Sequence, residues 1–576
     1  MKYVFLALFV SVIAFLPFHL APTPEGGGIE FIKVKPEEFK PVPGKRGGTV
    51  YFILNGDPKT LNPALAQETS STAVIGSLFS GLVRINLRTM KPEPDLARGW
   101  EVSEDGKVWV FYLKEGIRWS DGTPFTADDV VFTFNEVYYN DDIPSSMRDL
   151  LVVGGEKIKV EKVDTYTVKF TLPKPFAPFL SSLTVDILPR HKLKRYVEEG
   201  TFTTAWNVST DPKDIVGTGP WTLKEYVKGQ RVVYERNPYY YERDERGTPL
   251  PYVDRMVGII APDPDTAFLK FKTGEVDYIG LRPQDLRQVP TIGEKVKIYD
   301  LGPTPSTTFL VFNQNPRSKV PPYKLRWFQR KEFRIAISHA IDRESISALV
   351  YEGLAQPLYT PITPASRPYY DEDYYPKYEY DLEKAKSLLE SIGFRDRDGD
   401  GVLEDDLGNE LRFTLITNAG NRERETIGNI IKEDLRKIGI EVHFQPIDFN
   451  NLVTRLTSPP YDWEAVIIGL TGSMDPHFGR NVWHSSGSLH MWNPRQEEPQ
   501  TDWEREVDRL FDMGAMEMDF EERVQIYKRA FRLITENQPM VFIATPKSML
   551  ATYDRFHNLF PTVWGWYEEN RLFVKD

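Results

Sequence analysis

The spacing of apolar residues predicts a protein of mixed α and β structure. Thr49–Leu54 is a continuous apolar run that ends at the turn formers Asn55-Gly56-Asp57-Pro58, which predicts a buried strand. From Ser70 to Leu82 the apolar residues instead recur at the spacing of one helix face. Two further strands are predicted, at Val108–Leu113 and Thr167–Leu172.

After residue 330, helical and strand-like segments alternate, a pattern typical of an α/β unit. The predicted helices are Glu332–Val350, Asp381–Ile392, Arg422–Ile438 and Phe520–Asn537. The predicted strands are Thr414–Ile416, Glu441–Gln445, Ala465–Gly469, Val541–Ala544 and Met549–Thr552. The chain therefore contains at least two α/β units, joined through a middle region rich in proline and tyrosine.

The sequence Thr126-Ala127-Asp128-Asp129 predicts the start of a helix. Thr126 can cap the helix, and Asp129 is placed to complete a capping box. Both acids also lie at the positive end of the helix dipole, so capping rather than catalysis is expected of them.

The N-terminus has the features of a secretory signal. Met1-Lys2 precedes an uncharged apolar run from Tyr3 to Leu16, and Pro17 follows. We interpret residues 1–21 as a signal peptide; the alternative is an uncleaved anchor from Tyr3 to Thr23, long enough to cross most of the ~30 Å hydrocarbon layer. Residues 22–47 carry no sustained period and predict a flexible leader. Either interpretation places the protein in the periplasm or at the cell surface.

Composition excludes several classes of protein. The 576 residues predict more than one domain, and the net charge of −12 argues against a nucleic-acid partner. The chain has no Cys, which excludes disulfides, thiolate zinc sites, a cysteine nucleophile and anchoring by a lipid-modified Cys.

Several stretches, in order along the chain, resemble one known family. They are Gly81-Leu82-Val83, Pro94-Asp95-Leu96-Ala97, Trp119 to Val130, Gly217-Thr218-Gly219-Pro220-Trp221, Asn237-Pro238-Tyr239-Tyr240, Phe271 to Asp277 and Phe333 to Arg343. The chain from Gly48 onward resembles the extracellular solute-binding proteins of family 5, the oligopeptide, dipeptide and nickel binders of ABC transporters.

The resemblance implies an α/β fold of the periplasmic-binding-protein type II, with three lobes and the ligand in the cleft between them. Domain I is expected at 48–82, 187–303 and 543–576, domain II at 83–186, and domain III at 304–542. In such relatives two crossing strands form the hinge, and the lobes close over the ligand.

The resemblance also implies which residues contact the ligand. In peptide-binding relatives an Asp in a Gly-Trp-Thr-Gly-Asp-like segment holds the peptide amine. The matching text here is Gly469 to Pro476, where Ser473 stands in place of that Asp and Asp475 could substitute for it after a loop shift. The expected ligand-binding residues are Phe449, Arg455, Thr471, Gly472, Ser473, Met474, Asp475, His477, Trp483 and Trp492. The two Trp could equally pack in the core.

Two sequence patterns suggest metal sites. His477, His484 and His490 suggest nickel, which one branch of the family imports, but their spacings match no compact ligand motif, and ordinary histidines are favoured. Asp396 to Val402 copies the first seven positions of a calcium loop, with Asp396, Asp398 and Asp400 at positions 1, 3 and 5 and the Val402 carbonyl at 7. Leu407 stands where the bidentate Glu belongs, so Glu404 is the candidate replacement. Any calcium there is expected to be structural, and the alternative is a solvated acidic turn.

The leading hypothesis is therefore a receptor of an ABC importer that captures a peptide and delivers it to a membrane permease. An oligosaccharide ligand is the close alternative, because Ser473 replaces the amine anchor and aromatic residues are plentiful. A nickel or metallophore binder and a secreted hydrolase are less favoured; the chain has neither a Gly-x-Ser-x-Gly elbow nor a His-Glu-x-x-His motif. We expect a monomer that is not an enzyme and requires no cofactor.

Overall fold

A computed structural model describes residues 29–66, 69–292 and 295–575. The predicted signal peptide, and residues 22–28 of the predicted leader, lie outside these ranges. Within them, every helix is too short or too polar to cross a membrane.

Strands form in both halves of the chain. They are β1 (Ile29–Lys33), β2 (Thr49–Leu54), β3 (Val83–Asn86), β4 (Lys91–Pro94), β5 (Ala97–Val102), β6 (Val108–Leu113), β7 (Val152–Val153), β8 (Glu156–Lys157), β9 (Lys159–Asp164), β10 (Thr167–Thr171), β11 (Trp221–Val227), β12 (Arg231–Arg236), β13 (Arg255–Ile260), β14 (Tyr278–Leu281), β15 (Val296–Pro303), β16 (Ser306–Phe312), β17 (Ala355–Pro357), β18 (Arg412–Asn418), β19 (Glu441–Ile447), β20 (Ala465–Thr471), β21 (Met540–Tyr553), β22 (Phe556–His557), β23 (Pro561–Thr562), β24 (Gly565–Trp566) and β25 (Phe573–Val574).

The longer helices lie mainly in the second half. The helices are α1 (Thr69–Ile75), α2 (Ala127–Val131), α3 (Phe179–Ser182), α4 (Arg190–Glu198), α5 (Pro264–Lys272), α6 (Pro283–Leu286), α7 (Pro322–Gln329), α8 (Lys331–Ala340), α9 (Arg343–Val350), α10 (Leu382–Ser391), α11 (Arg422–Arg436), α12 (Phe449–Thr457), α13 (Arg480–Trp483), α14 (Asp502–Met516) and α15 (Phe520–Asn537). A π-helical stretch, Phe132–Tyr138, continues α2.

A nine-stranded sheet connects the two halves of the molecule, which we define by residue ranges: the described residues of 29–303 and 547–575 form one half, and residues 304–546 form the other. Its order is β1-β15-β21-β16-β20-β18-β19, and β14 and β17 also pair with β21. The first residues of β21 pair with β16 and β17, and its last residues pair with β15 and β14. Strand β15 leads into β16 through Thr304 and Pro305 alone. Two neighbouring chain segments therefore cross from one half to the other, as the resemblance implied.

Two buried apolar clusters cover opposite faces of β16, β18 and β20. Ala465–Ile468 of β20 is buried at every position, because helices and loops cover both faces of the sheet. The predicted helix Glu332–Val350 is in fact two helices, α8 and α9. The chain breaks at Ile341-Asp342 because the Asp342 side chain accepts a hydrogen bond from the Ser345 amide (3.0 Å) and caps α9.

The first half of the chain contains two four-stranded sheets, β5-β6-β10-β9 and β11-β12-β13-β2. The predicted capping box is confirmed: Thr126 caps α2, and the Asp129 carboxylate accepts a hydrogen bond from the Thr126 amide (3.0 Å). One buried cluster contains residues from Val50 to Ile260 together with Ala515, Leu550, Phe556, Leu559 and Leu572, and it draws on segments assigned to both predicted domains I and II. These two predicted domains share a continuous core, and their boundaries stay predictions.

The structure differs from the predicted flexible leader over residues 29–47. Strand β1 pairs in parallel with β15 along its whole length. The Val42 amide and carbonyl both bond to the Asn558 side chain, at 3.0 and 2.8 Å. The prediction was wrong because the edge of β15 supplies backbone partners that short-range periodicity does not reveal.

The predicted helix Ser70–Leu82 ends early, at Ile75, because the carbonyls that follow serve another segment. The Gly219 amide donates to the Leu78 carbonyl (2.9 Å), and the Trp221 amide donates to the Ser77 carbonyl (3.4 Å). The backbones approach so closely that a Cβ atom on Gly217 would lie 1.8 Å from the Leu78 oxygen. Glycine is therefore required at this position.

We expect Gly217→Ala to lower the free energy of unfolding by about 3 kcal/mol, because the backbone must move to admit the methyl group. Thermal unfolding followed by circular dichroism measures the loss as a decrease of several degrees in Tm. Gly99→Ala is the matched control, since a Cβ atom there meets nothing within 4 Å. Equal Tm values for the two variants would contradict this account of the Gly217 contact.

Candidate functional site

The end of β20 and the segment that follows it, from Thr471 to His477, carry six of the predicted ligand residues and begin at the crossing between the two halves. The Thr471 and Ser306 hydroxyls lie 3.3 Å apart, and the Gly472 amide donates to the Pro305 carbonyl (2.9 Å). Thr471 and Gly472 are thus held beside the β15–β16 connection. The Ser473 hydroxyl donates to the Asp475 carbonyl at 2.7 Å, which shapes the turn that follows.

Asp475 forms a buried ion pair with Arg523 of α15. The two guanidinium nitrogens lie 2.9 and 2.7 Å from the two carboxylate oxygens, and Asp475 is only 6% exposed. Burial alone would raise the pKa of Asp475, but the Arg523 charge outweighs it and holds the pKa below its usual value. The Asp475 charge is thus already neutralised by Arg523, which disfavours a second cation there, and its role at a ligand amine stays a prediction.

His477 lies between two lobes of the molecule. Its ring packs edge-on against Phe176, with centroids 5.0 Å apart, and its Nδ1 lies 3.3 Å from the Tyr527 hydroxyl. Burial lowers the pKa of His477 to about 4, although the Asp475 carboxylate acts in the opposite direction. The imidazole is therefore neutral at physiological pH.

Trp492 belongs to the core, and its prediction as a ligand residue is corrected. It is 1% exposed, and its indole nitrogen donates to Glu504 at 3.0 Å. Trp483 packs between Phe531 and Phe542, each with ring centroids 6.4 Å away. The sequence could not show whether Trp492 contacts a ligand or packs in the core. The Glu504 carboxylate that accepts the hydrogen bond of the buried indole comes from α14, a separate element.

Phe449 and Arg455 lie on α12 and are not brought together with the other predicted residues. Phe449 begins the helix and is 51% exposed, and the Arg455 guanidinium donates to Asn451 one turn away (3.2 Å). Neither side chain lines the three cavities described below.

The three histidines have separate partners. His484 Nδ1 lies 2.8 Å from the Ser486 hydroxyl, and His490 contacts the Glu504 carboxylate (3.2 Å) and the Val482 carbonyl (2.9 Å). Across the described ranges, no set of three convergent metal-ligating side chains includes any of these histidines.

A cavity of about 420 Å³ lies where the two halves of the molecule meet, and we call it the Met474 cavity. Met474, from the segment after β20, faces Phe79, Thr184 and Trp566, which belong to the other half. The remaining walls are Gly76, Ser80, Gly81, Val83, Arg84, Ile85, Asn86, Leu87, Glu93, Asp95, Asp186, Tyr567 and Glu568. Its volume is in the range of small-molecule sites.

Two more cavities adjoin the same region. The Trp566 cavity, about 610 Å³, shares Trp566 with the Met474 cavity and includes Tyr278 and Leu550. The His477 cavity, about 800 Å³, places His477 and Phe478 opposite Lys174 and Phe176. Met474 and His477 are therefore the predicted residues that the structure brings to cavities between the halves.

The opposite wall, above all Asp186 and Trp566, is not among the residues expected from the sequence. Asp186 is the single charged residue within the largely apolar run Leu183 to Leu188. A lone charge among apolar residues is the sequence signal that could have indicated a functional role for Asp186. Trp566 lies in an aromatic cluster near the C-terminus, Trp564-Gly565-Trp566-Tyr567, and this cluster is the sequence signal that could have indicated Trp566.

The predicted calcium residues come together. One carboxylate oxygen from each of Asp396, Asp398, Asp400 and Glu404 lies within 4.8 Å of the others. The Asp396 carboxylate also accepts hydrogen bonds from the Gly399 and Gly401 amides, at 2.7 and 3.1 Å. The oxygen-rich donor set suits a hard cation, with Glu404 reaching it from position 9. Calcium binding itself stays a prediction.

Comparison with known proteins identifies the family. The family model described as "Bacterial extracellular solute-binding proteins, family 5 Middle" matches residues 91–489, more than half of the chain. The chain belongs to this family. A relative from Deinococcus radiodurans, described as a probable ABC transporter-binding protein, is 31% identical over 544 residues, with 90% of each chain covered.

Two other relatives carry more specific names. The oligopeptide-binding protein AppA of Bacillus subtilis is 28% identical over 521 residues, with 88% of each chain covered. Its structure with a nonapeptide has a TM-score of 0.67 at 27% identity and covers 93% of this chain and 100% of its own. The periplasmic alpha-galactoside-binding protein of Rhizobium meliloti is 25% identical over 584 residues, covering 92% of this chain and 82% of its own. The predicted α/β fold of the periplasmic-binding-protein type is confirmed.

The Asp475–Arg523 pair yields a first prediction for this region. Arg523→Met leaves a buried carboxylate without its partner, so we expect the free energy of unfolding to fall by about 3–5 kcal/mol. The double variant Asp475→Asn/Arg523→Met removes both charges and should recover part of the loss. Urea unfolding measures both changes. Arg505→Met breaks the exposed pair with Asp502 and should change stability by less than about 1 kcal/mol; an equal loss in this control would contradict the assignment.

The acidic loop Asp396–Glu404 yields a second prediction for this region. If calcium binds at Asp396–Glu404 with millimolar affinity, a tenfold excess over Kd stabilises the fold by about 1.4 kcal/mol. Thermal unfolding with calcium, and with magnesium as the competing ion, measures this gain. The variant Asp396→Asn/Asp398→Asn should abolish it. A calcium-independent Tm, together with metal analysis that finds no bound calcium, would identify the loop as a solvated turn.

Proposed function

We propose that this protein is an extracytoplasmic receptor of an ABC importer that captures a peptide and delivers it to a membrane permease. The observation that supports this best is the Met474 cavity, whose walls come from both halves of the molecule. A ligand there contacts Met474 on one side and Thr184 and Trp566 on the other. Such a ligand favours approach of the two halves, which excludes water and strengthens each polar contact.

The paired crossings provide the connection that this mechanism needs. The halves are joined at β21 and at the β15–β16 connection, and hydrogen bonds tie the two crossings together. The Thr304 amide donates to the Pro546 carbonyl (2.8 Å), and the Thr545 hydroxyl donates to the Thr304 carbonyl (2.9 Å). Closure about this line moves Met474 toward or away from the opposite wall, and the permease can distinguish the closed, loaded receptor from the open one.

A peptide is favoured for two reasons. AppA of Bacillus subtilis, which covers 88% of this chain, is an oligopeptide-binding protein. In addition, Trp566 lines both the Met474 cavity and the Trp566 cavity, so one extended ligand can occupy the two in sequence.

An oligosaccharide is the second candidate, and two observations favour it. The relative in Rhizobium meliloti is named as an alpha-galactoside binder. Trp566 and Tyr567 also present aromatic side chains beside the polar groups of Asn86 and Ser80, a combination that suits a sugar ring.

A thermal-shift screen separates these ligands. The probes are a pool of synthetic di- to nonapeptides, a set of alpha-galactosides, and nickel chloride. We expect the peptide pool to raise Tm, because any ligand that binds the folded state stabilises it by mass action. Stabilisation by galactosides and not by peptides would contradict the peptide assignment in favour of the sugar.

A cavity variant tests the location. Met474→Trp narrows the Met474 cavity, so we expect the peptide-induced Tm shift to be lost while the Tm without peptide changes little. Leu349→Trp is the control, because Leu349 is 71% exposed on a distant helix. An unchanged peptide response in Met474→Trp would place the ligand elsewhere.

A further inference from the structure

Asp186 is a carboxylate of the Met474 cavity without a counter-ion. It is partly buried and follows Val185 in an otherwise apolar segment. Among the described residues, none donates a hydrogen bond to its carboxylate or forms an ion pair with it. The backbone carbonyl of Asp186 is used, since it accepts from the Tyr138 hydroxyl (2.6 Å), and this contact fixes the residue's position.

The other charged groups of the cavity do have partners. Arg84 lies 2.7 Å from Glu93 and 2.6 Å from Glu242. Asp95 accepts a hydrogen bond from the Tyr241 hydroxyl, and Glu568 lies 3.2 Å from Arg571. Asp186 is therefore the one carboxylate lining this cavity that has neither a hydrogen-bond donor nor an ion-pair partner among the described residues.

The charge balance of the walls favours a cation. One arginine, Arg84, faces four carboxylates, those of Glu93, Asp95, Asp186 and Glu568. Burial raises the pKa of Asp186 to about 7, and the Asp95 carboxylate adds to the effect. An ionised carboxylate in this position is unfavourable until a positive group approaches it.

The arrangement does not suit a metal ion. Among the described side chains, the acidic and imidazole groups that converge closely enough to share an ion are those of the Asp396–Glu404 loop. Asp186 and its acidic neighbours are not such a set. A single carboxylate beside hydroxyl and aromatic groups instead matches an organic cation held by a charge-assisted hydrogen bond.

We propose that Asp186 is the residue that binds a primary ammonium group of the captured ligand. The inference rests on the proposed function, and it adds a specific requirement, that the ligand carry a free amine at the Met474 cavity. It also reassigns recognition within the cleft. Asp475 is neutralised by Arg523 on one side, while Asp186 offers an unpaired carboxylate on the other.

The test uses the mature full-length protein and the tightest peptide from the pool, chosen without arginine. Isothermal titration compares four forms of that peptide: unmodified, N-acetylated, with each lysine replaced by norleucine, and with both changes. Wild-type protein, Asp186→Asn and Asp142→Asn are titrated with each. Asp142 is an exposed aspartate of the same lobe and controls for the loss of one negative charge.

We expect Asp186→Asn to weaken binding of the unmodified peptide by about 10- to 100-fold, the range for a hydrogen bond to a charged group. Removing the amine that Asp186 holds should weaken peptide binding to wild type by a similar factor. Wild type and Asp186→Asn should then bind the modified peptide with equal affinity. If N-acetylation has this effect, the group is the α-amine; if norleucine does, it is a lysine side chain. Asp142→Asn should bind as wild type does.

Two results would overturn the inference, and they are distinguishable. If the peptide binds wild type and Asp186→Asn within twofold, or if neither modification affects wild type, Asp186 is not the amine site although the receptor function stands. If no peptide binds wild type, the proposed peptide function fails and the inference fails with it. The modified peptides are tested on wild-type protein, so this arm decides the matter even if Asp186→Asn does not fold.

Discussion

Strand β21 forms backbone hydrogen bonds with both halves of the molecule, with β16 and β17 near its start and with β15 and β14 near its end. Because one strand belongs to both parts of the sheet, the two halves keep a common axis even if they rotate about it. The short β15–β16 connection runs beside it and supplies the second crossing. Everything that forms the cleft, from Met474 on one side to Asp186 and Trp566 on the other, is positioned relative to these two crossings.

The segment after β20 has a mainly mechanical role in this arrangement. Arg523 holds Asp475, the Ser473 hydroxyl closes the turn, and His477 packs against Phe176 of the other half. These contacts stabilise the loop, and the ion pair with Arg523 neutralises the charge of Asp475. Met474 is the member of the segment that projects into the Met474 cavity, so this loop contributes shape more than charge to recognition.

The opposite wall contributes the charge. Its carboxylates outnumber its cations, and three of the four lie against Arg84, Tyr241 or Arg571. The fourth, Asp186, is held in place through its backbone while its side chain stays without a partner. Under the proposed function, a ligand in the Met474 cavity would meet shape on one wall and charge on the other, and both walls would contact it only when the two halves approach each other.

Local sequence was sufficient for the elements and for the family. The apolar pattern predicted strands at 414–416, 441–445 and 465–469, which lie within the observed strands, and the helix at 520–537, because adjacent residues record the burial of a strand or of one helix face. The acidic loop Asp396–Glu404 was also readable, since its ligands are neighbours in the chain. Tertiary structure alone decided what depends on distant partners: the docking of residues 29–47 on β15, the capture of Asp475 by Arg523, the burial of Trp492 against Glu504 and the isolation of Asp186. The sequence shows where the carboxylates are but not which of them lie beside an arginine in the fold. Only the tertiary structure therefore determines which carboxylate is left for a ligand.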